Sequence, residues 1–415
     1  MIVNVDPQEI LTRFKAYVSI ETTSDERCKA FPSTSCQLDL ARYLEKELRE
    51  LGFAEVERTR YGYVLATVPA TTQKPLPVIG LVAHMDTSDE ASGRQVKMQV
   101  HKNYDGGVLT LSKEGNQELV LDPVLFPELQ AYVGEDILTS DGTTLLGADD
   151  KAGVCAIVSA CHYLLQHPEL EHGKLRVAFN PDEETGRGTE YFPLKDFGAD
   201  YAYTVDGGGL GEISYETFNA CNATITFNGI SVHTGTAKHK MRNAVTMAAE
   251  WQLALPRGEA PEYTEGYEGF YHTMRVIGST AKVELNMLLR DHDRTILEQR
   301  KQFLRSLTDF MNHKYGAGSV TCDLQDMYCN MKDYIKPAYE IVEKAMDAMR
   351  AQGVEPHIIP IRGGTDGAHL SEAGLPCPNL FTGGYNFHGC FEFLPFSSLE
   401  KITRVLVELA TAAAV

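Results

Sequence analysis

Apolar side chains recur at helical spacing near the start of the chain, at Ile10, Leu11, Phe14 and Val18. Asp6 suits the N-cap of that helix, Pro7 its first position, and Glu9 can complete a capping box. A second helix is predicted from about Thr34 to Leu51, on the stripe Leu40, Ala41, Leu44, Leu48 and Leu51, with Gly52 suited to its end. Strand-length apolar runs follow at Tyr63 to Val68, Pro77 to Ala83, Leu175 to Phe179 and Tyr201 to Val205, and Val154 to Leu165 reads as a largely buried helix. Strands alternating with helices predict an α/β fold whose mostly parallel sheet carries helices on both faces.

The pattern then changes. A strand is predicted at Ala223 to Phe227 and a helix from Met241 to Leu255, ending at Pro256. A hairpin at Tyr271 to Gly278 and Ala281 to Arg290, a helix from Thr295 to Lys314 and a strand at Ser319 to Leu324 complete a βαββαβ order, that of a ferredoxin-like module. The α/β pattern resumes with a helix from Pro337 to Gln352, strands at Glu355 to Ile361 and Pro378 to Thr382, and a last helix from Ser397 to about Ala410. The expected organisation is one α/β domain, residues 1–213 and 330–415, interrupted by an inserted module at 214–329.

Composition narrows the field. Of 415 residues, 43% are hydrophobic and 23% charged, ordinary for a globular chain and wrong for a disordered or collagen-like one. The net charge of −19, with no basic tract, argues against nucleic acid or an anionic membrane surface as partner. Nine scattered cysteines without a CxxC pair fit a reducing compartment. The first residues lack the basic and apolar regions of a secretion signal, and no apolar run reaches the roughly 18–20 residues of a membrane span. A cytoplasmic protein is expected.

Chemistry gathers at one structural address. His84 follows the run Val78 to Ala83; Glu183 and Glu184 follow Leu175 to Phe179; Asp206 follows Tyr201 to Val205. Asp149 and Asp150 precede a helix that begins near Ala152, and His388 follows the strand ending near Thr382. Ligands of open α/β sheets bind beyond the carboxyl ends of the strands, so all five sites should converge on one rim. Singly, each has an ordinary explanation: a solvated histidine, an exposed acidic pair, a helix N-cap. Together, so many carboxylates would repel one another unless cations neutralise them. Imidazole and carboxylate suit zinc, and also cobalt or manganese. One allocation places His84 and Asp206 on one metal, Glu184 and His388 on a second, and Asp149 between them. That leaves Glu183 free as a general base for hydrolysis. Asp86, two residues beyond His84, could hold its imidazole.

The segments Val82-Ala83-His84-Met85-Asp86-Thr87, Gly147-Ala148-Asp149-Asp150-Lys151-Ala152-Gly153, Asp182-Glu183-Glu184-Thr185-Gly186 and Val205-Asp206-Gly207-Gly208 resemble, in that order, the M20 di-zinc metallopeptidases. Gly235-Thr236-Ala237-Lys238, Ile361 to Ala368 and Gly384-Tyr385-Asn386-Phe387-His388-Gly389 look like the branch that acts on tripeptides as aminopeptidases. The resemblance implies two zinc ions per subunit held by His84, Asp149, Glu184, Asp206 and His388, with Glu183 as base and Asp86 in support. It implies a cis peptide after Asp149, and it makes 214–329 a lid and dimerisation domain in a homodimer. It further implies short-peptide contacts from His233, Lys238, Asn386 and Arg362, the last as a clamp for a substrate carboxylate. Another hydrolase of the same family, such as a dipeptidase, carboxypeptidase or N-acyl amino acid deacylase, would share the ligand set. Two departures from the family pattern are Thr234, where proline often follows the lid histidine, and Cys390, where this branch often has lysine.

Overall fold

A computed structural model describes residues 3–114 and 117–412. The described residues form two compact units. One draws on Met1–Tyr215, Tyr334–Ile359 and Thr365–Val415, the other on Glu216–Asp333 and Pro360–Gly364.

The larger unit is built on an eight-stranded sheet. Its centre is parallel: Leu175–Asn180, Ile79–His84, Tyr201–Gly207 and Asn379–Phe381 lie side by side in that order. Val64–Val68 and Ala54–Arg58 extend one side antiparallel, and Glu212–Ser214 with His357–Ile358 finish the other. Every residue of Val64–Val68, Ile79–His84 and Leu175–Asn180 is buried, as a sheet covered on both faces requires. Leu65, Val82, Ala178 and Ala202 face a cluster with Phe197, Leu370 and Cys377. The helix Ala148–Gln166 crosses the sheet, and Gly153 lets it approach closely: a Cβ there would lie 1.8 Å from the Val205 carbonyl oxygen.

Several expectations meet the coordinates closely. Asp6 caps the helix Pro7–Val18 by accepting from the Gln8 amide at 2.9 Å, and Gly52, at φ 88°, ends the helix Gln37–Glu50. The capping box does not form, because Glu9 turns instead to Arg13 and His162. The strand expected at Glu355 to Ile361 shrinks to His357–Ile358, although the amides of His357, Ile359 and Ile361 donate in turn to the carbonyls of Gly211, Ile213 and Glu216. The helix expected from Pro337 starts in earnest at Glu340, after a short helix Lys332–Ile335 and a 3₁₀ turn around Pro337.

The smaller unit carries a four-stranded antiparallel sheet in the order Phe270–Gly278, Lys282–Asp291, Asn219–Asn228, Val320–Tyr328. The second and third strands in sequence form the predicted hairpin, and the first and last pair at the other side, as in a ferredoxin-like fold. Helices Ala244–Ala254 and Arg294–Tyr315 pack their apolar faces on it around Trp251, Phe227 and Leu304. Asp293 caps the longer helix through the amides of Thr295 and Ile296.

Candidate active site

The parallel strands of the larger unit all end at one rim, and the chemistry stands there. His84 is the last residue of its strand and is 3% exposed. Its Nδ1 lies 3.0 Å from the backbone oxygen of Asp86, which leaves Nε2 to face the site. That Nε2 is 3.0 Å from Asp149 Oδ1 and 3.5 Å from Asp206 Oδ1. His388 presents Nε2 at 3.1 Å from Glu184 Oε2 and 3.3 Å from Asp149 Oδ2. Asp149 therefore turns one oxygen toward each imidazole. His84, Asp149 and Asp206 form one trio of potential ligands, and Asp149, Glu184 and His388 a second, each with its ligand atoms within 4.8 Å of one another.

The local chain explains this presentation. The Asp149–Asp150 peptide is cis, as the family resemblance implies, and regular helix begins only after Asp150. Asp150 turns inward, accepting from the amides of His84 at 3.1 Å and Gly153 at 3.1 Å. Beyond the strand Leu175–Asn180, Asp182 adopts φ 59° and sends its carboxylate to the Ser33 amide, the Ser33 hydroxyl and the Gln37 side chain. That anchor starts the 3₁₀ turn Glu183–Thr185. Asp86, fully buried, accepts the Glu183 amide at 3.0 Å and the Glu184 amide at 3.1 Å. Asp86 therefore has two parts. The His84 ring leans mainly on its carbonyl, with the carboxylate 3.5 Å away, while the carboxylate itself fastens the loop that carries both glutamates.

Charge is crowded here. Burial opposes a positive His84, but Asp206, Asp149 and Asp86 outweigh it and hold the imidazole well above its ordinary pKa. Hydrogen bonds to Asp149 and Glu184 raise His388 to about 11. Burial, with Asp149 adding, pushes Glu184 up to about 7, and burial lifts Asp206 to about 6. Glu183 is driven well above the carboxylate range by burial and then by Asp206. Such a knot of carboxylates and imidazoles fits cations better than protons: divalent ions would relieve the repulsion and take the imidazole lone pairs. Glu184 Oε1 adds to the fit, being buried with no hydrogen-bond partner among the described residues.

Residues without an obvious local signal complete the setting. Asp366, accepting from Asn180 Nδ2 at 2.8 Å, is lifted to about 6 by burial, and bare Gly188 leaves room for its carboxylate. Glu392 lies buried behind Asp149. Both act through residues about 190 to 250 positions away, beyond any sequence period.

The expected peptide contacts are distributed differently. Asn386, at φ 56°, donates its amide to the Phe391 carbonyl and so shapes the loop that presents His388. In the smaller unit, exposed His233 accepts the Gly235 amide at Nδ1, which leaves Nε2 as the donor of the neutral ring. Lys238 is exposed. Arg362 also belongs to the smaller unit, and its guanidinium is not a free fork: it donates to the carbonyls of Gly266 and Glu268 and to the Thr264 hydroxyl, over the rings of Phe218 and Phe270. Three of its N–H···O bonds are thus made within the smaller unit.

Known proteins bear on this arrangement. The sequence profile described as "Peptidase family M20/M25/M40" matches residues 141–412. Peptidase T of Listeria monocytogenes is 52% identical over 403 residues, covering 97% of this chain and 98% of its own. The crystal structure of aminopeptidase PepT from Bacillus cereus superposes with a TM-score of 0.77 at 22% identity, over 99% of this chain and 100% of that one. A tripeptidase from Staphylococcus aureus gives 0.78 at 21%, over 99% of both chains. On the strength of the profile and of that close relative, the chain belongs to peptidase family M20/M25/M40.

Proposed function

We propose that this chain is a zinc-dependent aminopeptidase of the cytoplasm that removes the N-terminal residue from tripeptides and works as a homodimer. The observation that carries the reading is Asp149, with one oxygen toward the His84 trio and the other toward the His388 trio. His84, Asp149 and Asp206 would hold one zinc, and Asp149, Glu184 and His388 the other, with cobalt or manganese suited to the same donors. Bound there, the cations supply Lewis acidity, which polarises a peptide carbonyl and acidifies water.

The chain's own groups do the rest. Glu183 is outside both trios and is the proton carrier: its carboxylate takes a proton from the attacking water and passes it to the leaving amine. Asp86 holds Glu183 to that task through its backbone amide. The Asn386 loop would orient the peptide, and His233 and Lys238 are proposed as further peptide-binding groups on the family resemblance. The relatives named Peptidase T support the substrate class. The nine free cysteines support a reducing compartment. No helix among the described residues is long and apolar enough to cross a membrane. Exposed Met274, Val276 and Ile277 on the edge strand Phe270–Gly278 support self-association.

Product analysis on a small panel tests the reading. Free tripeptides should lose their N-terminal residue, N-acetylated tripeptides should stay intact, and a strong chelator should stop the reaction. Cleavage of acylated peptides at comparable rates would instead mark a deacylase or endopeptidase of the same fold.

A further inference from the structure

Glu392 is 2% exposed, yet no basic side chain hydrogen-bonds it among the described residues. Its partners are three backbone amides on one turn. Oε2 accepts from Leu146 and Gly147, both at 2.7 Å, and Oε1 accepts from Asp149 at 3.1 Å. The amides of Leu146 and Gly147 precede the helix Ala148–Gln166 and that of Asp149 lies in its first turn, where no earlier turn can bond them, and Asp149 and Asp150 depart from helical geometry. A buried carboxylate is costly to keep in a fold unless its bonds are made. Here all of them converge on the turn that presents Asp149.

The other side of Glu392 is as informative. It sits in a loop closed by two backbone bonds, from the Tyr385 amide to the Phe393 carbonyl at 2.9 Å and from the Phe393 amide to the Tyr385 carbonyl at 3.1 Å. The Glu392 amide bonds the Gly389 carbonyl at 3.2 Å, and Asn386 bonds the Phe391 carbonyl at 3.1 Å. His388 lies within that closed loop. One small loop therefore carries an imidazole ligand and, four residues later, a clamp on the turn of the shared carboxylate.

We propose that Glu392 is a positioning residue for the metal pair, fixing the Asp149 carboxylate at its place opposite His388. The proposal rests on the reading that Asp149 is shared by two ions. It extends to Glu392 the general rule that groups behind the ligands set how well a metal is held. The separation it governs is the 3.3 Å between His388 Nε2 and Asp149 Oδ2.

Cobalt titration of the metal-free protein, followed by its visible absorption and by calorimetry, decides the matter. The wild type should take two ions per chain. Glu392→Gln turns one oxygen into a donor facing a backbone N–H, so at least one amide of the turn loses its acceptor. The variant should keep its circular dichroism, bind the weaker ion at least tenfold less tightly and change the cobalt spectrum. Two ions bound by the variant within twofold of wild-type affinity, with an unchanged spectrum, would overturn the proposal alone. Fewer than two ions in the wild type would overturn the shared-ligand reading and the proposal with it. Should Glu392→Gln fail to fold, Glu392→Asp, which keeps the charge on a shorter arm, is judged by the same titration: at least threefold weaker binding supports the clamp and binding within twofold refutes it.

Discussion

Replacing Asp86 with asparagine probes the loop that carries Glu183. The carboxylate accepts two backbone amides, from Glu183 at 3.0 Å and Glu184 at 3.1 Å, in a fully buried position. Asparagine can supply one acceptor oxygen, but its NH₂ group must then face the other amide. The variant loses one charge-assisted bond and leaves a buried N–H without a partner, each worth roughly 1–3 kcal/mol. Relaxation of the Glu183–Thr185 turn would recover part of that. A net loss of about 2–3 kcal/mol in holding the base is expected, and at ~1.4 kcal/mol per factor of ten it corresponds to a fall of roughly 30- to 150-fold in kcat. The assay is steady-state hydrolysis of a free tripeptide, with metal content measured on the same sample. Because Asp86 also holds the amide of Glu184, a member of the second ligand trio, the fall in kcat is read on enzyme loaded with both ions, where KM should change little. Asp86→Asn with kcat within threefold of wild type would show that the two amide bonds do not position the base.

Two further substitutions separate the roles of neighbouring groups. Glu183→Ala should retain both metal ions yet lose about 10²–10⁴-fold in kcat, the span attributed to a positioned acid–base group; near-normal turnover would remove Glu183 from the mechanism. Arg362→Ala should lower stability by about 2–3 kcal/mol through its lost bonds to Gly266, Glu268 and Thr264, seen as an earlier denaturant midpoint, while KM for a tripeptide stays within twofold. A tenfold rise in KM with unchanged stability would instead assign it to a substrate carboxylate.

Much of this architecture is legible locally. Helical spacing marks Pro7–Val18 and Gln37–Glu50, and unbroken apolar runs mark the parallel strands because both faces of the sheet are covered. His84, Asp149, Glu184 and Asp206 are visible because they end a strand, lie shortly past one or open a helix, whereas His388 stands seven residues beyond the strand Asn379–Phe381. What stays hidden depends on contacts across long stretches of chain. Ser33 and Gln37 anchor Asp182 from 149 and 145 residues away, and Glu392 reaches the Asp149 turn across 243. The three-stranded sheet of Gln99–His101, Ile137–Thr139 and Phe393–Pro395 escapes notice because its strands are too short to show a period. The surroundings of Arg362 are hidden for the same reason, since its bonds to Gly266, Glu268 and Thr264 reach across 94 to 98 residues.

The central claim is that two cations share Asp149 at the end of the parallel strands. Crystals grown with zinc, measured at its absorption edge, test it most directly. Two anomalous peaks per chain are predicted, one among His84, Asp149 and Asp206 and one among Asp149, Glu184 and His388, roughly 3.5–4 Å apart. A single peak, or peaks away from Asp149, would contradict the account.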